Sequence, residues 1–357
     1  AKEKGIFIGM LPTWGDKVIP LWGKGPAVFN AGNARVYGEY LGRLCRDLTN
    51  VLWILGGDRP AEHEGHDCRP VWRALAAGLD AGAGRRVFKT YHPMGGRSTS
   101  EALQSEDWLD MHMQQSGHGG GHDVPVWEWI ARDYALTPRR PVLDAEPNYE
   151  DHPVCPWPRW NPRNGFFRDG DVRRQLYRSV LAGGCGVTYG HHFVWQFWSP
   201  GRTPVNNGDA FIPWFDALHR PGAEQVRHLR ALIESRPMLA RAPAPDLVLG
   251  AGVGWDPARR DTRPVAACAA DGRYAFIYLP RPSPVTLDLN RLAGNRFRVW
   301  WFCPTDGTVE AVGEFPRTDE LTLTPDGRAP DRVLVLDDAS AGLGPPASHF
   351  TMASKAA

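Results

Sequence analysis

The chain has 357 residues, 42% of them hydrophobic and 23% charged, with a formal net charge of +1. That make-up suits a globular protein with room for one large domain and a small one. So balanced a charge excludes nucleic acid or an acidic membrane surface as a partner held by bulk electrostatics, and no apolar run approaches the roughly 18 residues of a membrane span.

The chain opens in an apolar run, Gly5 to Leu11, which reads as a buried strand ending at the loop LPTWGDK (11–17) with Trp14. A Gly/Pro-rich loop leads to about Asn30. A helix is predicted from about Asn33 to Leu48, with Val36, Tyr40, Leu41, Leu44 and Leu48 at helical spacing. The second strand, Val51 to Gly56, ends in Gly57-Asp58-Arg59. Residues 61–70 read as a His-rich acidic loop, and Val71 to Leu79 as a helix. Strands follow at Val87–Pro93, which carries His92, and at Trp108–Gln115. Trp127 to Tyr134 is a helix. The strand at Val142 ends in Asp144 and Glu146, with Tyr149 and Glu150 in the loop beyond. Asp171 to Ala182 is a helix, and Gly186–His192 the sixth strand, leading to Trp195.

Strand, polar loop and helix alternate from residue 5 to about 235, the pattern of a parallel sheet. A doubly wound sheet gathers its polar loops at one crevice. Here the loops after nearly every strand carry polar or aromatic groups, which favours a (β/α)8 barrel served by one face. Six strands leave two to be supplied, most simply on the N-terminal side. After about Pro243 the helical period stops. Short β-type runs at 247–249, 265–268, 274–279, 285–287, 297–302 and 332–336, separated by Gly, Asp and Pro turns, predict an antiparallel β-sandwich. The expected fold class is therefore α/β: a TIM barrel without its first two βα units over 1–240, a small antiparallel β-sandwich over 244–340, and a disordered tail over 341–357.

Two acid-tipped strands in one barrel point to glycoside hydrolysis, which needs a carboxyl group to protonate the leaving oxygen and a second to attack the anomeric carbon or activate water. Asp58 and Glu146 are the candidates. Their duller reading is Asp58 paired with Arg59 or Lys17 and Glu146 as a cap. Asp144 is expected to be buried and ion-paired, and Glu150 is a weaker rival for the attacking role. Fifteen tryptophans suit a sugar cleft as well as a core, because indole faces stack on sugar C–H faces. Trp14, Arg59, His92, Gln115, Tyr149, Glu150, His191, His192 and Trp195 are the candidate sugar contacts. His63 and His66 in HEGHD, with His118, His122, His152, His191 and His192, raise the alternative of a metal-dependent hydrolase. However, HExxH spacing is lacking, so no metal is expected. No GxGxxG, GxxxxGK[ST] or GxSxG element occurs, which predicts neither a nucleotide cofactor nor a serine nucleophile. A non-catalytic carbohydrate-binding protein on a decayed barrel is the other alternative. Cys45, Cys68, Cys155, Cys185, Cys268 and Cys303 lack CxxC spacing; Cys45 and Cys185 read as small buried hydrophobes.

Six stretches, LPTWGDK (11–17), WILGGDRP (53–60), TYHPMGGRS (90–98), QSGH (115–118), PVLDAEPNYEDHP (141–153) and YGHHFVWQF (189–197), together with WWFCPTDGTVEAVGEF (300–315), resemble the apiosidase-like glycoside hydrolases of family 140. The resemblance spans nearly the whole chain. It implies a (β/α)8 barrel with a trailing β-sandwich and a retaining mechanism, with Asp58 as acid/base and Glu146 as nucleophile. The implied activity is release of an apiose-linked side chain from pectic rhamnogalacturonan II, without a cofactor. The implied partner is a carbohydrate substrate, with no nucleic acid and no membrane. The family begins two βα units earlier and implies a secreted or periplasmic location, although no signal peptide is visible here.

Overall fold

The computed structural model describes residues 1–204, 212–250 and 257–348. The chain divides into two compact units, one of Ala1–Gly117 with Arg132–Glu146, the other of His118–Ala131 with everything from Pro147.

The first unit is built on parallel strands. These are β1 (Ile8–Met10), β2 (Val51–Gly56), β5 (Lys89–His92), β7 (His112–Gln115) and β8 (Val142–Asp144); between them lie the small hairpin of β3 (Glu62–His63) with β4 (His66–Asp67), and β6 (Arg97–Ser98) set antiparallel to β7. The registers Ile8↔Val51, Trp53↔Lys89 and His112↔Val142 are parallel, and a single parallel bridge, Thr90↔Met111, joins β5 to β7. The strands therefore lie side by side in chain order, each reached from the last by a crossover, so all their C-terminal ends emerge on one side.

Alternation decides the faces. In β2, Trp53 and Leu55 enter the core shared with Trp72, Leu75 and Leu79 of helix α2 (Arg69–Ala83). In β5, Tyr91 meets Trp72 edge-on at 5.5 Å, so its neighbour His92 faces the other way, toward β8.

Helix α1 (Ala31–Leu44) starts at a capping box between Asn30 and Asn33. It packs on α2 through glycines. A Cβ on Gly42 would lie 2.3 Å from Leu79 O, and one on Gly82 would lie 2.0 Å from Glu39 O. The inward stripe is thus Ala34, Gly38 and Gly42, whereas Val36, Tyr40 and Leu44, at the spacing of an apolar face, are exposed. The short α3 (Ser100–Leu103) completes this unit's helices.

Helix α4 (Val126–Tyr134) runs from the second unit's residues into the first's. The second unit continues with α5 (Asp169–Leu181), α6 (His192–Trp195), α7 (Trp214–Ala217) and α8 (Pro221–Glu234). Its strands are β9 (Arg241–Pro243), β10 (Val265–Ala269), β11 (Tyr274–Leu279), β12 (Val285–Asp288), β13 (Arg296–Phe302), β14 (Val309–Pro316), β15 (Glu320–Leu323) and β16 (Arg332–Asp338). A six-stranded antiparallel sheet runs β14-β13-β16-β11-β10-β9, and β12 pairs with β15. Val285, Leu287 and Leu323 of the small sheet share one core with Ile277, Val299 and Leu336 of the large one. Helix α5 is tied to this sheet by a buried ion pair: Arg173 donates to Asp331 at 3.1 and 3.2 Å, and Tyr278 donates to the same carboxylate at 2.9 Å. Removing Arg173 would leave the buried Asp331 carboxylate without its cation, which costs about 3–5 kcal/mol; removing Asp331 would cost less, because Arg173 also pairs with Asp169 at 2.6 Å.

Several expectations need correction. Gly186–His192 forms no strand; its pairing is one parallel bridge, Glu150↔His191. Residues 247–249 pair only through Val248 to Leu287, because the 3-10 turn Pro245–Leu247 uses up that stretch. Cys185 is exposed rather than buried, and Cys45 is half-buried at the end of α1. Within the expected tail, Leu343 O accepts from Arg298 at 3.2 Å and Gly344 O from Arg236 at 2.8 Å; residues 349–357 lie outside the described residues. No helix among the described residues is long and apolar enough to cross a membrane.

Candidate active site

At the end of β2 three successive residues take left-handed backbone conformations, Gly56 (φ 81°), Gly57 (φ 111°) and Asp58 (φ 56°). The two glycines are required by close approach as well as by φ. A Cβ on Gly56 would stand 2.6 Å from His92 O, and one on Gly57 would stand 2.8 Å from Trp14 Cε3. Asp is among the few other residues that tolerate this region. The strand tips are laced together: Gly57 N donates to His92 O at 3.1 Å and Gly15 N to Gly57 O at 3.2 Å. This turn sets the Asp58 carboxylate at the strand end, 28% exposed. Asp58 Oδ2 accepts from Trp22 Nε1 at 3.3 Å and from Arg59 at 3.2 Å. Lys17 pairs with Asp16 instead.

At the end of β8, Asp144 is buried and accepts from the Ser116 hydroxyl at 2.6 Å and the Ser116 amide at 3.2 Å. The next two residues are fixed by main-chain bonds, Ala145 N to Gln114 O at 2.8 Å and Gly117 N to Glu146 O at 2.9 Å. Glu146 Oε2 lies 3.2 Å from His92 Nε2, its side chain 17% exposed. His92 Nδ1 faces Pro93 O at 3.0 Å.

Both partners of this imidazole accept hydrogen bonds. A carbonyl and an ionised carboxylate are satisfied together only by the doubly protonated ring. The electrostatics agree. Burial pulls the imidazole pKa down, but the hydrogen bond to Glu146 and the charges of Glu146 and Asp58 outweigh it, and the net shift is upward. On Asp58, burial and then the Glu146 charge push the carboxyl above its ordinary range, against the Trp22 N–H, Arg59 and His92. Glu146 is thus paired with an imidazolium, and Asp58 is biased toward the neutral acid.

Other expected contacts in this unit fall nearby. Trp14 is 45% exposed, its ring 6.3 Å from that of His92. Arg59 is buried, donating to Pro20 O at 3.1 Å and Asp58 O at 2.6 Å; with those bonds it braces the turn. Gln115 ends β7, and its buried side-chain oxygen has no hydrogen-bond partner among the described residues. A surface pocket of about 460 Å³, lined by Tyr91, Glu62, His63, Arg97 and Glu101 among others, lies on the side of β5 that Tyr91 faces. It is not the space between the carboxylates. Trp22 was not among the expected contacts. A tryptophan in a Gly/Pro loop carries no periodicity; its only signal was its place after a strand that ends in the site.

The remaining expected contacts belong to the second unit. Glu150 is buried, accepting from the Tyr189 hydroxyl at 2.7 Å and the Gly222 amide at 3.2 Å. His191 is buried with Nε2 3.1 Å from Asp151 and Nδ1 accepting from Phe193 N at 3.1 Å, so both ring nitrogens brace the start of α6. His192 is buried, 4.6 Å from the ring of His152. Tyr149 lies over Gly190, where a Cβ would come within 2.1 Å of its ring. Trp195 is exposed. Of the remaining histidines, His63 and His66 face each other across the β3–β4 hairpin, His118 stacks on His152 at 3.8 Å, and His122 meets Asp171 at 3.0 Å. No group of three or more His, Cys, Asp or Glu among the described residues is placed to hold a metal ion.

The profile of the apiosidase-like catalytic domain matches residues 1–240. A profile of a collagen-binding-like domain of a collagenase matches residues 251–337. No protein of curated function matches. Among solved structures, one described as a glycoside hydrolase shares 29% identity at a TM-score of 0.83, the alignment covering 96% of this chain and 75% of that one. A glycoside hydrolase family 5 protein from Bacteroides vulgatus shares 29% identity at a TM-score of 0.82, covering 96% and 72%. With the profile spanning most of its length, the chain belongs to the apiosidase-like family and is a glycoside hydrolase.

Proposed function

We propose that this glycoside hydrolase works with retention of configuration, with Asp58 as acid/base and Glu146 as nucleophile, on a plant-type polysaccharide or oligosaccharide. The observation that carries the reading is the contact of His92 with Glu146 beside a carboxyl group, Asp58, whose pKa is raised. An imidazolium at 3.2 Å favours the carboxylate of Glu146 that attack requires, while burial and the Glu146 charge favour the protonated form of Asp58. In the first step the Asp58 proton passes to the glycosidic oxygen as its bond to the anomeric carbon breaks, and Glu146 bonds to that carbon. In the second, Asp58 takes a proton from water, the water oxygen bonds to the anomeric carbon, and the Glu146 carboxylate leaves.

The family's name points to apiose as the sugar released, and an apiose-linked side chain of rhamnogalacturonan II is the substrate we infer. Reducing-sugar release from rhamnogalacturonan II tests this. Release by the parent and none by Glu146→Ala is expected; activity on other glycans but not on apiosides would overturn the substrate.

We read the five parallel strands as part of a (β/α)8 barrel. What supports this is an uncovered edge. All of β1 is exposed, as are Ile6 and Phe7 before it, and α1 turns Val36, Tyr40 and Leu44 outward on the side away from its glycine contact with α2. An apolar strand edge beside an apolar helix stripe is the face that a neighbouring βα unit buries. In protein carrying two further units there, the outward amides of β1 are expected to exchange slowly. Exchange as fast as that of an open edge would count against the barrel.

A further inference from the structure

The loop between β1 and α1 holds one indole with unusual care. Trp22 lies in the turn closed by Gly23 N donating to Pro20 O at 2.7 Å, and it is 57% exposed. Exposed tryptophans are normally loose, but this one is fixed twice. Its Nε1 donates to Asp58 Oδ2 at 3.3 Å. The Arg59 guanidinium, itself 2% exposed, lies 4.2 Å from the ring centroid and is anchored to Pro20 O and Asp58 O. Gly23 makes room for this: a Cβ there would come within 2.5 Å of the Arg59 guanidinium and of Asp16 Cβ. One face of the indole is covered by a buried cation and its N–H is tied to the carboxylate, which leaves the exposed area to the other face. A flat apolar surface held rigid at a carboxyl group is preorganised for stacking, because little ordering entropy remains to be lost on binding.

We propose that the open face of Trp22 is the floor of a sugar subsite, on which a neutral ring stacks by its C–H face with its glycosidic oxygen toward Asp58, and that Arg59 is the positioning residue that holds the indole. The ring is neutral because a uronate would bring a second negative charge beside the Glu146 carboxylate, next to an acid that is already hard to ionise. The proposal rests on the reading of Asp58 as acid/base.

The test is steady-state kinetics of Trp22→Ala and Trp22→Phe across pH, with thermal melting. The probe is an alkyl β-glycoside that the parent hydrolyses, the β-apioside first. Trp22→Ala is expected to raise KM about tenfold, the loss of one aromatic stack, with kcat changed far less and the melting temperature unmoved. Trp22→Phe keeps part of the floor, so its KM rises less. In both variants the alkaline limb of kcat/KM moves to higher pH, because the lost N–H had favoured the Asp58 carboxylate. A Trp22→Ala KM within twofold of the parent would overturn the subsite, and an unmoved alkaline limb in Trp22→Phe would overturn the coupling to Asp58. Asp58→Ala separates the two layers. If it hydrolyses the alkyl glycoside as fast as the parent, the acid/base reading itself fails; if it is crippled while Trp22→Ala is parental in KM, only the subsite fails.

Discussion

Glu146→Ala is expected to lower turnover on the order of ten-thousandfold while leaving the fold intact. That is the scale on which removing a covalent nucleophile acts when the rest of the site survives. The side chain stands beyond the end of β8, partly exposed, and the main chain around it is held by its own bonds to Gln114 and Gly117, so truncation leaves no hole in the core. Two further consequences follow from the charges. His92 loses the partner that raises its pKa, and burial then favours the neutral ring. Asp58 loses the like charge that helps to raise its own pKa, so its titration moves down. Sodium azide would occupy the vacated space and attack the anomeric carbon from the face that Glu146 used, giving a glycosyl azide of inverted configuration. Kinetics on an aryl glycoside with product analysis by NMR checks all of this; parental turnover in Glu146→Ala would remove the nucleophile assignment.

Asp58→Ala should show an effect that depends on the leaving group. An alkyl alcohol leaves only with a proton, so its release should slow about 100- to 10,000-fold. A dinitrophenolate needs no proton, so the first step on that substrate should be near parental and the intermediate should accumulate. Azide then needs no base to attack it and gives the retained azide. The pH dependence has a definite sign. The parent requires the neutral acid in the free enzyme, so kcat/KM falls as pH rises through the Asp58 pKa, which lies above the ordinary value of 3.8. In Asp58→Ala that alkaline limb disappears. An effect of equal size on both leaving groups would assign Asp58 to structure.

The parallel strands were legible because buried runs such as Val51–Gly56 announce themselves by composition, and the acids at their ends by their contrast with it. That is also why Asp58, Glu146 and His92 were expected in one place and are found together in the first unit. Other features were not legible, for identifiable reasons. In α1 the apolar spacing of Val36, Tyr40 and Leu44 marked the wrong face inward, because helix contact through Gly38 and Gly42 leaves no hydrophobic signal. Strands β14 and β15 were missed because they bury so little: no residue of β14 is buried and only Leu323 of β15 is, so neither shows the apolar run of a core strand. Histidines 191 and 192 looked like sugar contacts from their place before an aromatic run, yet both are buried and His191 spends both nitrogens inside the fold. The partnership of Trp22 with Arg59 joins residues 37 positions apart in sequence, which no local pattern reveals.

The most direct measurement is covalent trapping. A 2-deoxy-2-fluoro glycoside with a dinitrophenyl leaving group slows the second step, so a retaining enzyme is caught as its glycosyl-enzyme, and peptide mapping by mass spectrometry then finds the bond. One sugar per chain is expected, on the peptide that carries Glu146, and none in Glu146→Ala. A sugar on any other residue, or turnover with no adduct and inverted product, would contradict it.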